Sequence, residues 1–424
     1  MKAFSKILAI AAAMAGCVFA ASCDKTEEIK AVPEVKVHVT LPADFPSAAA
    51  YTGEVILTDR TTGESQKANA VAGTATFTKV PYGIYSVSAA QVLTSAEFKA
   101  LAPELGKSVT SDVALNSNTL AITLTAESDV TVPFNVNMTW NIASSLLISR
   151  IYNFGTLNLA SKAYSNDKFI EIYNNSAETQ YIDGLGIAEV YPSAVGQSAF
   201  TDVTSGENVY IITAAMFPGS GKDYPVEPGK SIVLAQNAMN HIKADVITNT
   251  ADLSGADFEC YVEGATSQFP ADNANVPNMK TVFTYSQYTR FFVTNGAIYA
   301  LFKMSEADLE ACPKEMVPGS DAYGAAYATW CKKIPASCVI DGVDLIREGY
   351  ESRGGRHFPD AIDASNAVIN QRNITLRKIL YVTEDGRAVL QDTNNSANDF
   401  VKVESVDGNA LKIRDYSNSE IQPK

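Results

Sequence analysis

The chain has 424 residues, 46% hydrophobic and 19% charged, with 33 basic residues against 47 acidic ones and a formal net charge of -14. That apolar fraction belongs to globular rather than disordered chains, and the length suits two or three domains. The acidic balance argues against a nucleic-acid-binding surface, because each Lys or Arg set against phosphate would work against the protein's own field.

Lys2 and Lys6 precede an apolar run from Ile7 to Ala21, an order that reads as a secretory leader. The run is shorter than the roughly 20 residues a transmembrane helix needs. It closes on Ala20-Ala21-Ser22-Cys23 and switches at once to Asp24-Lys25-Thr26-Glu27-Glu28. This junction resembles a bacterial lipobox. The resemblance implies a signal peptide over 1–22, lipidation of Cys23 and an acidic tether over 23–32. Cys17 also follows small residues, but cutting there would leave Val18-Phe19-Ala20-Ala21 beside the anchor. The acidic run after Cys23 is similar to the export signal of Bacteroidetes surface lipoproteins, so the implied location is the cell surface, lipid-anchored to the outer membrane. After processing, Cys260, Cys312, Cys331 and Cys338 remain, as disulfides or as buried thiols. The cysteines lack a Cys-x-x-Cys pair and His38, His241 and His357 are scattered, so neither a metal nor a cofactor is expected.

Residues 33–138 read as an N-terminal β-sandwich. Val35, Val37, Val39 and Leu41 alternate with Lys36, His38 and Thr40, and similar alternation recurs through Val130, Val132, Phe134, Val136 and Met138. One short helix is expected near Thr94 to Gly106, capped by Thr94 or Ser95. The segment from Gly73 through Phe77 and Pro81-Tyr82-Gly83 to Tyr85 resembles the hairpin of prealbumin-like and carboxypeptidase-regulatory-like domains, which act as spacers.

Residues 140–403 read as a second, larger sandwich, followed by a C-terminal extension over 404–424. Phe169-Ile170-Glu171-Ile172-Tyr173-Asn174-Asn175, with Tyr181-Ile182-Asp183-Gly184-Leu185 behind it, is similar to the opening of lamin-tail-like domains, an immunoglobulin-like sandwich. Pro228-Gly229 before Ile232-Val233-Leu234-Ala235, Val339-Ile340-Asp341-Gly342-Val343, and Gly386-Arg387 with Asp392 to Phe400 resemble later pieces of that domain in the same order. The whole chain looks most like a Bacteroidetes surface lipoprotein family with such a domain behind a small N-terminal one. The fold class expected is therefore all-β, two sandwiches with short helical insertions at about 190–225 and 303–335. Ser305-Glu306-Ala307-Asp308 reads as a capping box opening a helix in the latter.

Several groups bear on chemistry. Gly229-Lys230-Ser231 lacks the preceding Gly and the following helix of a phosphate loop, and reads as a turn. Arg353, Arg356 and His357, among glycines, could donate to a carboxylate or phosphate. Phe283, Tyr285, Tyr288, Phe291, Phe292, Tyr299 and Phe302 form the most aromatic stretch, suited to core packing or, through Tyr285 and Tyr288, to ligand stacking. Asp392, Asn394, Asn395 and Asp399 suggest a cation loop, but lack the Gly and Glu of a calcium loop, so folding of side chains onto their own backbone is favoured. Glu171 with Asp183 would be a carboxylate pair for glycoside chemistry, and no G-x-S-x-G elbow is present.

The function expected is a non-enzymatic surface binding or accessory protein, partnered with the outer membrane through its lipid and with a ligand or an outer-membrane transporter of an uptake complex. A fimbrial or adhesive subunit is the first alternative. A surface hydrolase using Glu171, Asp183 or His357 is the second.

Overall fold

The computed structural model describes residues 30–423 apart from 63, 108–112, 118–119, 143, 193–197, 205, 244–245, 262–271, 285–297, 352–354, 370–372, 384–385 and 405–410. The leader, Cys23, Arg353, Tyr285 and Tyr288 lie outside the described residues. The chain is nearly all β. No helix among the described residues is long and apolar enough to cross a membrane.

The N-terminal sandwich is built from one eight-stranded sheet that doubles over its own core. The strand Ala31–Thr40 pairs antiparallel with Thr74–Pro81 and parallel with Phe134–Ile142. Its alternation is the physical cause of its placement: Val35, Val37 and Val39 are buried while Lys36 and Thr40 face water. The long strand Gly83–Leu93 pairs with Leu120–Leu124 in its first half and with Val113–Ser117 in its second. Thr94 then caps the helix Ser95–Leu101 by accepting the Glu97 N–H at 3.2 Å, while the Glu97 carboxylate accepts the Thr94 N–H at 2.8 Å.

Strand direction separates the chain's entry into this sandwich from its exit. Ala31 lies opposite Pro81, beside the start of Gly83–Leu93, whereas Ile142 lies opposite Val113, which pairs with Leu93 at that strand's other end. The chain therefore enters at one end and leaves at the other. At about 3.3 Å per residue, the eleven residues of Gly83–Leu93 separate the two ends by about 35 Å.

The second sandwich packs a six-stranded sheet against a seven-stranded one. The first runs Phe258–Glu259, Ser231–Ala235, Phe169–Asn174, Leu146–Tyr152, Asn373–Arg377, Phe400–Glu404. The second runs Lys314–Met316, Trp330–Pro335, Asn208–Met216, Leu185–Val190, Ile298–Lys303, Val339–Val343, with Lys280–Thr284 also joined to Asn208–Met216. Ile148, Ile170, Ile172, Ile187 and Leu301 fill the space between them.

Both sheets are also covered on their outer faces. Leu309 of the helix Glu306–Ala311 and the apolar side chains Ile334 and Phe358 pack on the outer face of the seven-stranded sheet, against Ala300 and Phe302. On the six-stranded sheet the cover is the C-terminal segment, whose Leu411, Ile413, Tyr416 and Ile421 pack against Phe169, Tyr173 and Leu376. Every residue of Phe169–Asn174 is consequently buried. Such strands read as continuous apolar runs rather than as alternation. Cys260, Cys312, Cys331 and Cys338 are free thiols, and burial pushes that of Cys331 up to about 12.

The C-terminal strap answers a specific need. Glu171, inside the apolar strand and fully buried, is met by Arg150 at 3.5 Å, by the Arg414 N–H at 2.7 Å and by the Tyr416 hydroxyl at 3.1 Å. An unpartnered carboxylate there would be strongly destabilising. Tyr416→Phe removes the hydroxyl from Glu171 and from Ser149. It is expected to cost about 1–3 kcal/mol of unfolding free energy. Urea denaturation checks this, and an unchanged midpoint would place the strap outside the cooperative unit.

Candidate functional site

Two loops singled out by composition come together in the second sandwich. His357 is buried, and its backbone N–H and ring Nδ1 meet Asp344 at 2.9 and 2.7 Å. Asp344 donates its own N–H to Asp363 at 2.8 Å, and Asp363 also accepts the N–H groups of Ser396 at 2.9 Å and Ser365 at 3.1 Å. The Ser396 hydroxyl bonds to Asp363 as well. Ser396 thus sits on Asp363 and His357 on Asp344, an arrangement of loop ties rather than of a nucleophile and its base. Arg356 is likewise turned inward, onto the Asp363 carbonyl and the Asp360 carboxylate, both at 2.6 Å.

Beside this network lies a charge hub that the sequence did not announce. Arg377 is 1% exposed. Its Nη2 meets both oxygens of Asp341 at 2.9 Å, its Nη1 reaches Asp392 at 3.1 Å and Asp399 at 3.5 Å, and its Nε donates to the Ile148 carbonyl at 2.9 Å. Its plane lies over the Phe400 ring at 4.6 Å. Burial works against the guanidinium charge, but Asp341, Asp392 and Asp399 together outweigh it and hold Arg377 above its ordinary value. Burial, reinforced by Asp392 and only partly offset by Arg377, pushes Asp341 up to about 7 and Asp399 up to about 6. Burial and the neighbouring Asp344 push Asp363 up to about 8.

The residues flanking Asp392 are tied to this hub as well, Gln391 through its carbonyl on Arg377 at 3.1 Å and Thr393 through Asp399. Asp399 anchors the loop by accepting the Thr393 N–H at 2.9 Å and hydroxyl at 2.7 Å. Asn395 caps the short helix Ser396–Asp399 through the Asn398 N–H at 3.2 Å. Asn394 takes a left-handed backbone, φ 51°, which Asn tolerates better than most side chains. Its carbonyl accepts the side-chain amide of Asn116, from the N-terminal sandwich, at 3.0 Å. The inter-sandwich connection is held too, by the Ser144 N–H on Asp392 at 3.1 Å. Asn394 and Asp392 therefore join the loop to the N-terminal sandwich and to the connection, while Asn395 and Asp399 hold the loop itself. Among the described residues no three His, Cys, Asp or Glu side chains are grouped to hold a metal ion.

Against this joint opens a cleft of about 320 Å³. The N-terminal sandwich contributes Glu54, Ile56, Lys67 and Gln91 to it. The second contributes Lys378, Ile379, Gln391, Thr393 and Asn398, and the C-terminal strap adds Glu420 and Gln422. Lys67 pairs with Glu54 at 3.0 Å, and the Lys378 ammonium donates to the Asn398 carbonyl. Gln391 is oriented by the Asn398 carbonyl at 3.0 Å and by Asp399 at 3.1 Å. Amides set among apolar side chains suit a neutral polar ligand.

One stretch of chain supplies most of this arrangement. Residues 227–406 match the family model described as Protein of unknown function (DUF4876). The matched segment contains Arg377 and all of its carboxylates, whereas the N-terminal half of the cleft lies outside it. A DUF4876 family protein from Bacteroides thetaiotaomicron VPI-5482 is similar in structure, with a TM-score of 0.52 and 21% identity over 87% of this chain and 95% of that one. This likeness speaks to the fold. A structure described as a "putative adhesin" from Bacteroides ovatus matches at a TM-score of 0.17 and 10% identity, over 40% of this chain and 58% of that one. A search of curated proteins finds no match.

Other sequence candidates are placed separately. Asp183 accepts the N–H groups of Gly221, Asp223 and Tyr224, none of which touches Glu171, so the two carboxylates serve different parts of the fold. Phe283, Tyr299 and Phe302 are buried in the core. Gly229 takes the left-handed turn, φ 72°, expected of Pro-Gly.

Arg377→Leu would leave three buried carboxylates without their cation, at an expected cost of about 3–5 kcal/mol. Denaturant unfolding of the variant measures it. The pH dependence has a definite sign. A carboxyl whose folded value exceeds its unfolded one, near 4, holds extra protons when native, so its stabilising contribution is complete in acid and declines as pH rises. His241 acts oppositely, since burial lowers its value, but only below its ordinary 6.5. Between pH 6.5 and 8.5 the thermal midpoint should therefore fall, through Asp341 and Asp363. Asp363→Asn should flatten that fall in a calorimetric series.

Proposed function

We propose that the chain is a non-enzymatic binding protein of the cell surface, held to the outer membrane by a lipid on Cys23. The N-terminal sandwich is its spacer and the cleft at the spacer's far end is its ligand site. The observation that carries this reading is the cleft itself, lined from both sandwiches and resting on a joint whose charges are satisfied internally. Glu54 and Gln91 stand toward the end of the N-terminal sandwich opposite to where the chain enters, and Ile56, opposite Ser88, stands at the middle of Gly83–Leu93. His357, Glu171 and Asp183, the side chains a hydrolase would need, are committed to structural partners. A ligand captured here would be handed to a neighbour in the same membrane, which fits an uptake complex built around an outer-membrane transporter.

Native mass spectrometry of the mature chain purified from its own cells would identify the bound molecule. Ile56→Trp fills the cleft without touching Arg377 and is expected to weaken that binding roughly tenfold or more at an unchanged melting temperature, as one removed contact set of 1–2 kcal/mol would. Undiminished binding would move the site elsewhere. Cys23→Ser should shift the protein from the membrane to the soluble fraction, and its retention in the membrane would refute the anchor.

A further inference from the structure

The topology that puts the cleft at one end of the N-terminal sandwich leaves apolar side chains uncovered at the other. Lys30, the first described residue, accepts the Tyr82 N–H at 3.0 Å through its carbonyl, and Ala31 lies opposite Pro81. Tyr82 is 37% exposed and Ile84 47% exposed. The neighbouring strand ends at Leu124, opposite Gly83, so the connection 125–133 turns at this same end, and Val132 within it is 62% exposed. Charges nearby are of both signs: Lys30, Arg60 and Lys79 against Asp59, Glu127 and Asp129. Glu64, whose carbonyl accepts the Asp59 N–H, and Asp24, Glu27 and Glu28 of the tether add negative charge, so the seating draws on apolar contact and the lipid anchor rather than on charge.

We propose that this end of the sandwich rests on the lipid bilayer, with Tyr82, Ile84 and Val132 entering the headgroup region. The inference rests on the lipid-anchor reading. Six residues lie between Cys23 and Lys30, and the seven steps from one to the other span about 25 Å at full extension. An anchor on Cys23 therefore keeps Tyr82 and Ile84 within constant reach of the membrane, where even a small apolar contact is favoured by its high effective concentration. Tyr suits that depth, its ring apolar and its hydroxyl wet. The cleft would then stand about 17–26 Å above the lipid, five to eight residues along Gly83–Leu93.

The test uses the full chain, expressed with its leader and reconstituted into phosphatidylethanolamine and phosphatidylglycerol vesicles whose acyl chains carry bromine, a contact quencher of indole. In Ile84→Trp the added emission should fall roughly twofold or more relative to unbrominated vesicles. Trp140 and Trp330 supply the background, the former near the opposite end of the sandwich and the latter in the second one. Unquenched emission from vesicle-bound protein overturns the seating and leaves the anchor standing. Protein that fails to float with vesicles overturns both. A second variant, Tyr82→Asp with Ile84→Asp, changes only exposed positions. It should make the tether of the vesicle-bound protein roughly threefold more sensitive to added protease. Equal sensitivity would count against the seating.

Discussion

Arg377 brings five N–H donors into a space that excludes water, and such a group is tolerated only where every donor and its charge find partners. Those partners come from three places far apart in the chain: the Ile148 carbonyl, Asp341, and the loop carrying Asp392 and Asp399. Meeting them ties Leu146–Tyr152 and Asn373–Arg377 of the six-stranded sheet to Val339–Val343, the edge strand of the seven-stranded one. It also decides which side of the loop faces in. With Asp392 and Asp399 turned to the guanidinium, Gln391, Thr393 and Asn398 are left to line the cleft, and the Asn394 carbonyl is left to receive Asn116. Buried ion pairs of this kind add little net stability over apolar packing, but breaking one partner is costly. Their effect here is to tie the loop carrying Asp392 and Asp399 to both sheets of the second sandwich.

The N-terminal sandwich was largely legible because one face of its strands meets water. Val35, Val37 and Val39 alternate with polar residues, and Thr94 shows its cap. The second sandwich was legible as strands but not as layers, since cover on both outer faces erases alternation from Phe169–Asn174 and Ile298–Lys303. Arg377 was missed for a related reason. In Asn373-Ile374-Thr375-Leu376-Arg377 it occupies the alternating position that ordinarily faces solvent, and nothing local reveals three carboxylates waiting there. The loops around His357 and Asp392 were conspicuous by composition, yet their meeting depends on Asp344 and Asp363, which read as ordinary strand and turn residues. One partner of Glu171 lies 245 residues away, at Tyr416. A cleft made by two domains has no motif at all.

The strap and the joint distribute one task. Arg414 and Tyr416 close the outer face over Glu171, and the same segment, six residues on, supplies Gln422 to the rim of the cleft. The outer core and the rim of the cleft are thereby joined through a few covalently linked residues.

The pairing of Leu146–Tyr152 with Asn373–Arg377 has a consequence for the order in which the protein assembles. All strand partners of the N-terminal sandwich lie between residues 31 and 142, so that unit can form once its own residues have been synthesised. The six-stranded sheet must wait, because the strand that opens it is completed only by residues more than 220 positions later, and Phe400–Glu404 must still follow. Such long-range closure is slow and exposes unpaired strands meanwhile. A finished first sandwich beside an unfinished second one is the state in which this chain is most open to aggregation and proteolysis.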